Sequence, residues 1–564
     1  MHHINHYYLY FLLLVSGLCL TLKANEDFSR DAFDDLIALV DNQDVTNFIT
    51  SSSTDTTRQA SKSSIIVLLN NLEIIPLLQE NVFLRTNNLK SRSLLDYPEF
   101  FPFSHTCDER VIYIDLFYNQ TTRLNFTKDN TNICSYLGIF QPSFANKLQN
   151  VIASIQAVRP NLTIDDLKIS RLLELARTFT VQERRLGLMI GGQATYGCWH
   201  INIMAPWYYL ERNHFVDKKI EDAIESLIAE IQEEIIGVQS LTPEQITLDE
   251  RRKSAFIDQH FISDKFGIGD TRIYADRPFF KRKQLTTRIG FLATIPTAFA
   301  MKKGLKGTSF SRQINRPLLN LQEIVELAVP PFNQASPDVF NFGLAFLDNL
   351  GAMILDTPLG NGGHFGIGIL ARNKSPLQAL IKQDWARNFT MRSFVSLEYQ
   401  FPAVEWRSFR VPVNEALFNA RNLESTDPLI VDVNSNYAFI VQQITDRLFP
   451  MALQARVNPG IIFRWSSQFR YEGESVGFTL GTDTYVRNRE KFSHVYTNEN
   501  AKRMIDIFNA RSSLAYQSKA VGSIFFNRPK CDRTYCISLY GDYTFMNRGI
   551  GADYMLSLHF DVVF

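Results

Sequence analysis

The sequence predicts an all-β transmembrane antiparallel β-barrel of about 12 to 14 strands, with helical insertions and a helical N-terminal segment. Three observations predict it. Separate stretches beyond residue 110 alternate apolar and polar side chains with a period of two, over roughly the ten residues a tilted strand needs to cross a bilayer. The polar rows of these stretches carry Arg, Lys, Asp and Gln, which a wet lumen accepts and lipid does not. An apolar N-terminal run has the length of an export signal, and nothing after Leu20 reads as a membrane-crossing helix.

Composition is compatible with this class. The chain has 564 residues, 45% of them hydrophobic, so it can bury a core, and its 58 basic and 58 acidic side chains cancel. A balanced charge gives no electrostatic reason to expect nucleic acid as a partner. The 44 Phe and 21 Tyr suit strands and interfacial aromatic belts better than a helical bundle.

Taken in order, residues 1–24 read as a cleavable signal peptide, apolar from Tyr7 to Leu20, with cleavage expected after Leu22-Lys23-Ala24. Residues 25–95 form an N-terminal helical and linker segment. It holds a short amphipathic helix from Phe28 to Val40, the polar linker SSSTDTTRQASKSS, and an apolar stretch at 65–78 interrupted by Asn70, Asn71, Glu73 and Pro76. Residues 96–564 are the expected barrel.

Its strands are read from alternation. GIIFRWSSQFRY (460–471) sets Ile461, Phe463, Trp465, Phe469 and Tyr471 against Ile462, Arg464, Ser466, Gln468 and Arg470. SVGFTLGTDTY (475–485) follows after a tight connection and alternates Val476, Phe478 and Leu480 with Gly477, Thr479 and Asp483. The pattern recurs in LTTRIGFLATI (285–295), HFGIGILAR (364–372), MRSFVSLEYQF (391–401), SSLAYQSKAVGSIFF (512–526) and ISLYGDYTF (537–545). Helical insertions are expected at about 143–183, 215–262, 318–330 and 413–450. One carries Ile220, Ile224, Leu227, Ile231 and Ile235 on a single face, and Thr242, Pro243 and Gln245 supply a helix start. Such insertions could close a mouth or plug the lumen, or pack on one another outside it.

Few residues suggest chemistry. PLGNGGH (358–364) is rich in glycine but lacks the Lys-Ser/Thr of a phosphate loop, so a hairpin turn is expected there. The histidines have no metal-ligand spacing, and His200 and His559 are expected to line a polar face. Without a GxSxG nucleophile the chain is not expected to be an enzyme, and no cofactor is expected. Cys531 and Cys536 bracket DRTY between two strand-like runs and are candidates for a disulfide, while Cys198 is expected to be a buried small apolar residue. The candidate lumen-lining residues are Arg288, Glu398, Arg464, Arg470, Asp483, Lys519, Asp542 and Asp561. They either set the electrostatics of a pore or neutralise one another inside a narrow barrel.

The final stretch, YMLSLHFDVVF (554–564), places Tyr554, Leu558, Phe560, Val562 and Phe564 on one face. It resembles the closing strand of bacterial outer-membrane barrels, whose C-terminal Phe and alternating apolar residues serve as an assembly signal. That resemblance implies a lipid bilayer as surroundings, and periplasmic chaperones and the barrel-assembly machinery as partners in biogenesis. FGIGDTRIYADRPFFKRKQLTTRIGFLATIPT (266–297) is similar to a strand pair of the long-chain fatty-acid transporter and phenol-degradation channel barrels, through Gly267, Gly269, Asp270, Pro296 and Thr297. Ala298 stands where those proteins usually have Gly, and their N-terminal plug motif is not recognisable here, so the likeness implies architecture and not substrate. The expected function is an outer-membrane channel or transporter for small solutes, apolar ones included. A structural or surface-interaction barrel without transport is the alternative.

Overall fold

A computed structural model describes residues 91–100, 110–123, 180–215, 226, 262–282, 285–305, 356–379, 381, 383–409, 451–473, 475–508, 510–530 and 533–563. All of these belong to the second of two compact units, Asn70–Phe564. In chain order the strands are β1 (Val111–Arg123), β2 (Thr180–Tyr196), β3 (Trp199–Phe215), β4 (Ile262–Ile268), β5 (Thr271–Arg282) and β6 (Leu285–Ile295). There follow β7 (Phe299–Lys303), β8 (Gly366–Pro376), β9 (Phe389–Gln400), β10 (Ala403–Phe409), β11 (Met451–Asn458) and β12 (Gly460–Glu472). The last are β13 (Val476–Arg487), β14 (Lys491–Val495), β15 (Ala515–Lys530), β16 (Arg533–Arg548) and β17 (Ala552–Val563).

Twelve of these strands close a barrel in the order β1, β2, β3, β5, β6, β8, β9, β12, β13, β15, β16, β17, with β17 returning to β1. Every neighbouring pair is antiparallel, and closure leaves no unpaired edge in the ring. The ends of the barrel differ. At the end where β1 begins and β17 finishes, connections are short, such as Gly197-Cys198 between β2 and β3 and residues 473–475 between β12 and β13. The opposite end, the mouth, carries the long connections.

Side chains divide by strand parity. In β16, Leu539 and Tyr543 are exposed while Tyr540, Asp542 and Thr544 are buried inside. Exposed apolar residues occur on all twelve barrel strands, among them Ile114, Ile190, Phe291, Ile369, Leu480 and Leu556. Such a continuous apolar wall is far larger than the patches soluble proteins leave bare, and it is the outer surface of a transmembrane barrel. Aromatic clusters mark its two borders. Trp385, Phe389, Tyr471 and Phe478 meet near the short-turn end, and Phe365, Tyr399 and Phe401 meet near the mouth. Among the described residues no helix is long and apolar enough to cross a membrane.

At the mouth the wall splits. The first half of β3 pairs with β5 and the second half with β4, and the change of partner falls at Pro206, which has no N–H to give a ladder. Gly269 donates its N–H to the Pro206 carbonyl at 2.8 Å, and Thr297 Oγ1 donates to the Gly269 carbonyl at 3.0 Å. The chain therefore bends twice at one level, between β4 and β5 and between β6 and β7. β4 and β7 then pair with each other outside the ring. On the other side, β10, β11 and β14 form a three-stranded sheet of their own, as continuations of β9, β12 and β13.

Several expectations are corrected. Cys536 carries a free thiol rather than a disulfide and faces the interior opposite Asn527 in the ladder, while Cys531 lies outside the described residues. Cys198 is exposed, because Gly197, with φ of 58°, and Cys198 form the two-residue turn. PLGNGGH is not a hairpin turn: it is the lead-in to β8, folded across the mouth, with Gly362 and Gly363 at φ of 85° and 90°. The limits set for the insertions overlap strand, since β2 starts at Thr180, β3 runs to Phe215 and β4 starts at Ile262. Apart from residue 226, the rest of those insertions, the N-terminal helix and Phe564 lie outside the described residues; among the described residues α1 (Glu499–Met504) is the sole α-helix of more than one residue.

Candidate functional site: a plugged lumen between two cavities

Residues Ser91–Phe100 occupy the lumen. Two single turns of 3-10 helix, Leu94–Asp96 and Pro98–Phe100, give this plug its compact shape. Leu94, Leu95, Tyr97 and Phe100 are buried in one apolar cluster with Phe117, Tyr208, Tyr274 and Phe394 of the wall. Charged and polar side chains hold it in place. Arg92 Nη1 donates to Asp483 Oδ2 at 2.6 Å, and its guanidinium lies 4.9 Å from the Tyr485 ring. Asp96 accepts from Arg272 Nη1 at 2.7 Å and pairs with Arg464. Glu398 bridges the same two guanidiniums, at 3.1 Å from Arg272 and 2.6 Å from Arg464, and completes a quartet of alternating charge. Burial opposes the charge on Asp96, yet Arg464 and Arg272 hold its carboxyl below the ordinary range. Tyr97 donates to Asp553, which is also 2.6 Å from Lys519 Nζ.

The eight lumen-lining candidates all point inward and fall into separate groups. Glu398 and Arg464 meet at Asp96, Asp483 meets Arg92, and Lys519 meets Asp542 at 2.9 Å. Arg288 pairs with Asp276, which also takes Arg372. Near the short-turn end Arg470 lies 3.0 Å from Glu472 and over the Phe525 ring, and Asp561 lies beside His559. In β17, Tyr554, Leu558, Phe560 and Val562 lie on the outward row. His200 contacts Arg372 at 3.1 Å inside the barrel. The sequence reading missed the plug residues Arg92, Asp96 and Tyr97. The available signal was an Arg and an Asp within the apolar run SRSLLDYPEFF just before the first strand, charges that would need partners in any interior.

The plug separates two cavities. The mouth cavity, about 530 Å³, has Leu94, Leu95 and Asp96 as its floor, and Tyr208, Phe299, Leu359, Trp406 and Tyr485 in its wall. Across it, His364 Nε2 meets Glu405 Oε1 at 2.5 Å, and Glu405 continues to Arg407 at 2.6 Å. Arg487 lines the same cavity, 7% exposed, with no carboxylate in salt-bridge range among the described residues. Asp270 lies at the bend, where it accepts the Asn361 N–H at 2.6 Å, and burial pushes its carboxyl up to about 6. Beneath the plug a smaller cavity of about 130 Å³ touches Pro98, Glu99 and Phe100 and faces the short-turn end.

No family model and no curated protein matches the sequence. Among solved structures, an outer-membrane channel from Pseudomonas putida F1 aligns over 82% of this chain and 97% of its own, at 7% identity and a TM-score of 0.35. The toluene transporter TodX of P. putida aligns over 85% and 97%, at 7% identity and a TM-score of 0.28. The monoaromatic hydrocarbon channel CymD aligns over 81% and 88%, at 7% identity and a TM-score of 0.26. Likenesses at these scores carry no argument about this chain, whose architecture stands on its own strand register.

Proposed function

We propose that this barrel is an outer-membrane channel that passes small, partly apolar solutes when its plug moves, and that it reaches that membrane through a cleavable export signal. One observation carries the reading: among the described residues the plug divides the lumen into a mouth cavity and an inner cavity, so a path is built on both sides of it. A barrel serving only as a surface platform has no need of a cavity with an aromatic wall and a buried guanidinium at its mouth. The aromatic wall suits an apolar body, and Arg487 offers a polar handle. On this reading the outward row of β17 is what the assembly machinery meets as the barrel closes, and lipid covers it afterwards.

The test is electrical. The full chain in planar bilayers is expected to conduct rarely, and Asp96→Ala, which unpins the plug, is expected to raise the open fraction at least tenfold. A variant as silent as the parent, across a series of small aromatic and aliphatic solutes in liposome uptake as well, would count against a channel.

A further inference from the structure

The inner cavity holds a cluster of charged side chains that the channel reading does not use. Asp115 of β1 and His559 of β17 face each other directly in the ladder that closes the barrel. Glu99 of the plug reaches the same point, and one ligand atom from each of Glu99, Asp115 and His559 lies within 4.8 Å of the others. The imidazole is fixed on its remaining sides. Its Nε2 lies 3.3 Å from Asp561 Oδ2, and its ring lies 5.8 Å from the ring of Tyr113. Nδ1 is therefore the nitrogen turned towards Asp115.

Three carboxylates, Glu99, Asp115 and Asp561, surround one imidazole, and Asp115 and Asp561 are almost fully buried. Arg392 and Arg470 line the same cavity and share Glu472 between them.

We propose that Glu99, Asp115 and His559 Nδ1 bind one first-row divalent transition-metal ion. Two carboxylates and an imidazole suit zinc or a neighbouring ion better than calcium or magnesium, which take oxygen ligands alone. Asp561 acts as a positioning residue: it takes the N–H on Nε2 and so holds Nδ1 free for the metal, the usual arrangement of a carboxylate behind a metal-bound histidine. The cavity beside the cluster leaves room for water in the open coordination positions. Because the ligands come from the plug, the first barrel strand and the last, the ion ties the plug to the closing seam of the barrel.

The experiment uses the full chain without an affinity tag, purified in detergent and treated with a chelator. Zinc is added in calorimetry, and cobalt is added while its visible absorption is followed. One equivalent is expected to bind, with a rise in thermal midpoint. His559→Gln should abolish that equivalent, and Glu99→Gln, which leaves the wall intact if the first variant fails to fold, should weaken binding at least tenfold. Asp561→Asn should weaken it roughly 10- to 100-fold without changing the stoichiometry. No zinc bound by the parent chain at micromolar concentration, or equal binding by the parent and both ligand variants, would overturn the site; the second result would assign the metal to other residues.

Discussion

Asp96 shows what a single side chain contributes to the closed lumen. Without its carboxylate, Arg272 and Arg464 would share Glu398 alone, leaving two buried guanidiniums against one acid. Removing one partner from a buried ionic group costs on the order of 3 to 5 kcal/mol. Asp96→Ala is therefore expected to lower the urea-unfolding free energy of the detergent-solubilised protein by about 3 kcal/mol, and a loss under about 1 kcal/mol would show that the quartet does not anchor the plug. Alternation in the sequence was enough to place Arg288, Glu398, Arg464, Arg470, Asp483, Lys519, Asp542 and Asp561 on the inner row, because parity along a strand decides side. It could not supply their partners. Arg92 and Asp483 are 391 positions apart, and only the closed ring brings such residues together. In the closed ring these charges pair with one another and with the plug.

At the scale of elements, the bend between β4 and β5 explains residues that alternation leaves unassigned. A Cβ on Gly267 would lie 2.1 Å from the Phe299 carbonyl oxygen, and one on Gly269 would lie 2.7 Å from the Pro206 ring, so both glycines permit close approach of a neighbouring strand. Gly267→Ala is expected to push β7 off β4 and destabilise the fold by roughly 1 to 3 kcal/mol, measurable as a lower midpoint of heat-induced unfolding. Asp270 gives the same element a pH dependence. Its carboxyl is lifted to about 6, above the ordinary 3.8, mainly by burial and against the pull of Asn361, Ala298, Arg272 and His364. The folded mouth thus prefers the proton: stability is greatest below the ordinary value and falls as pH rises through about 6. The difference of about 2 units, 6 minus 3.8, corresponds to roughly 3 kcal/mol. Asp270→Asn keeps an acceptor for the Asn361 N–H and removes this titration, so its midpoint should fall less than that of the parent between about pH 4 and pH 8. Parallel profiles would remove Asp270 as the cause. The Gly-x-Gly-Asp and Pro-Thr residues were visible in the sequence as a likeness, but their meeting at one bend was not, since neither stretch breaks the alternation that defines its strands.

For the whole molecule the decisive property is that the apolar wall faces outward, and a single substitution tests it. Leu539 stands near the middle of β16, 58% exposed, between the outward aromatics Tyr535 and Tyr543. If water surrounded the barrel, Leu539→Arg would relieve an exposed apolar group and change stability by no more than about 0.5 kcal/mol. In a bilayer the same guanidinium enters hydrocarbon, where the cost is about 2 to 4 kcal/mol at the midplane and falls to roughly 0 to 1 kcal/mol near the interfaces. Folding into lipid vesicles should therefore lose about 2 to 4 kcal/mol with Leu539→Arg and much less with Tyr543→Arg, nearer the mouth border. The depth dependence is the informative part. Damage to packing would penalise the larger, aromatic Tyr543 at least as much, whereas a membrane ranks the two by distance from its centre. Equal losses at the two positions, or none at Leu539, would mean that the outer wall is not a lipid face.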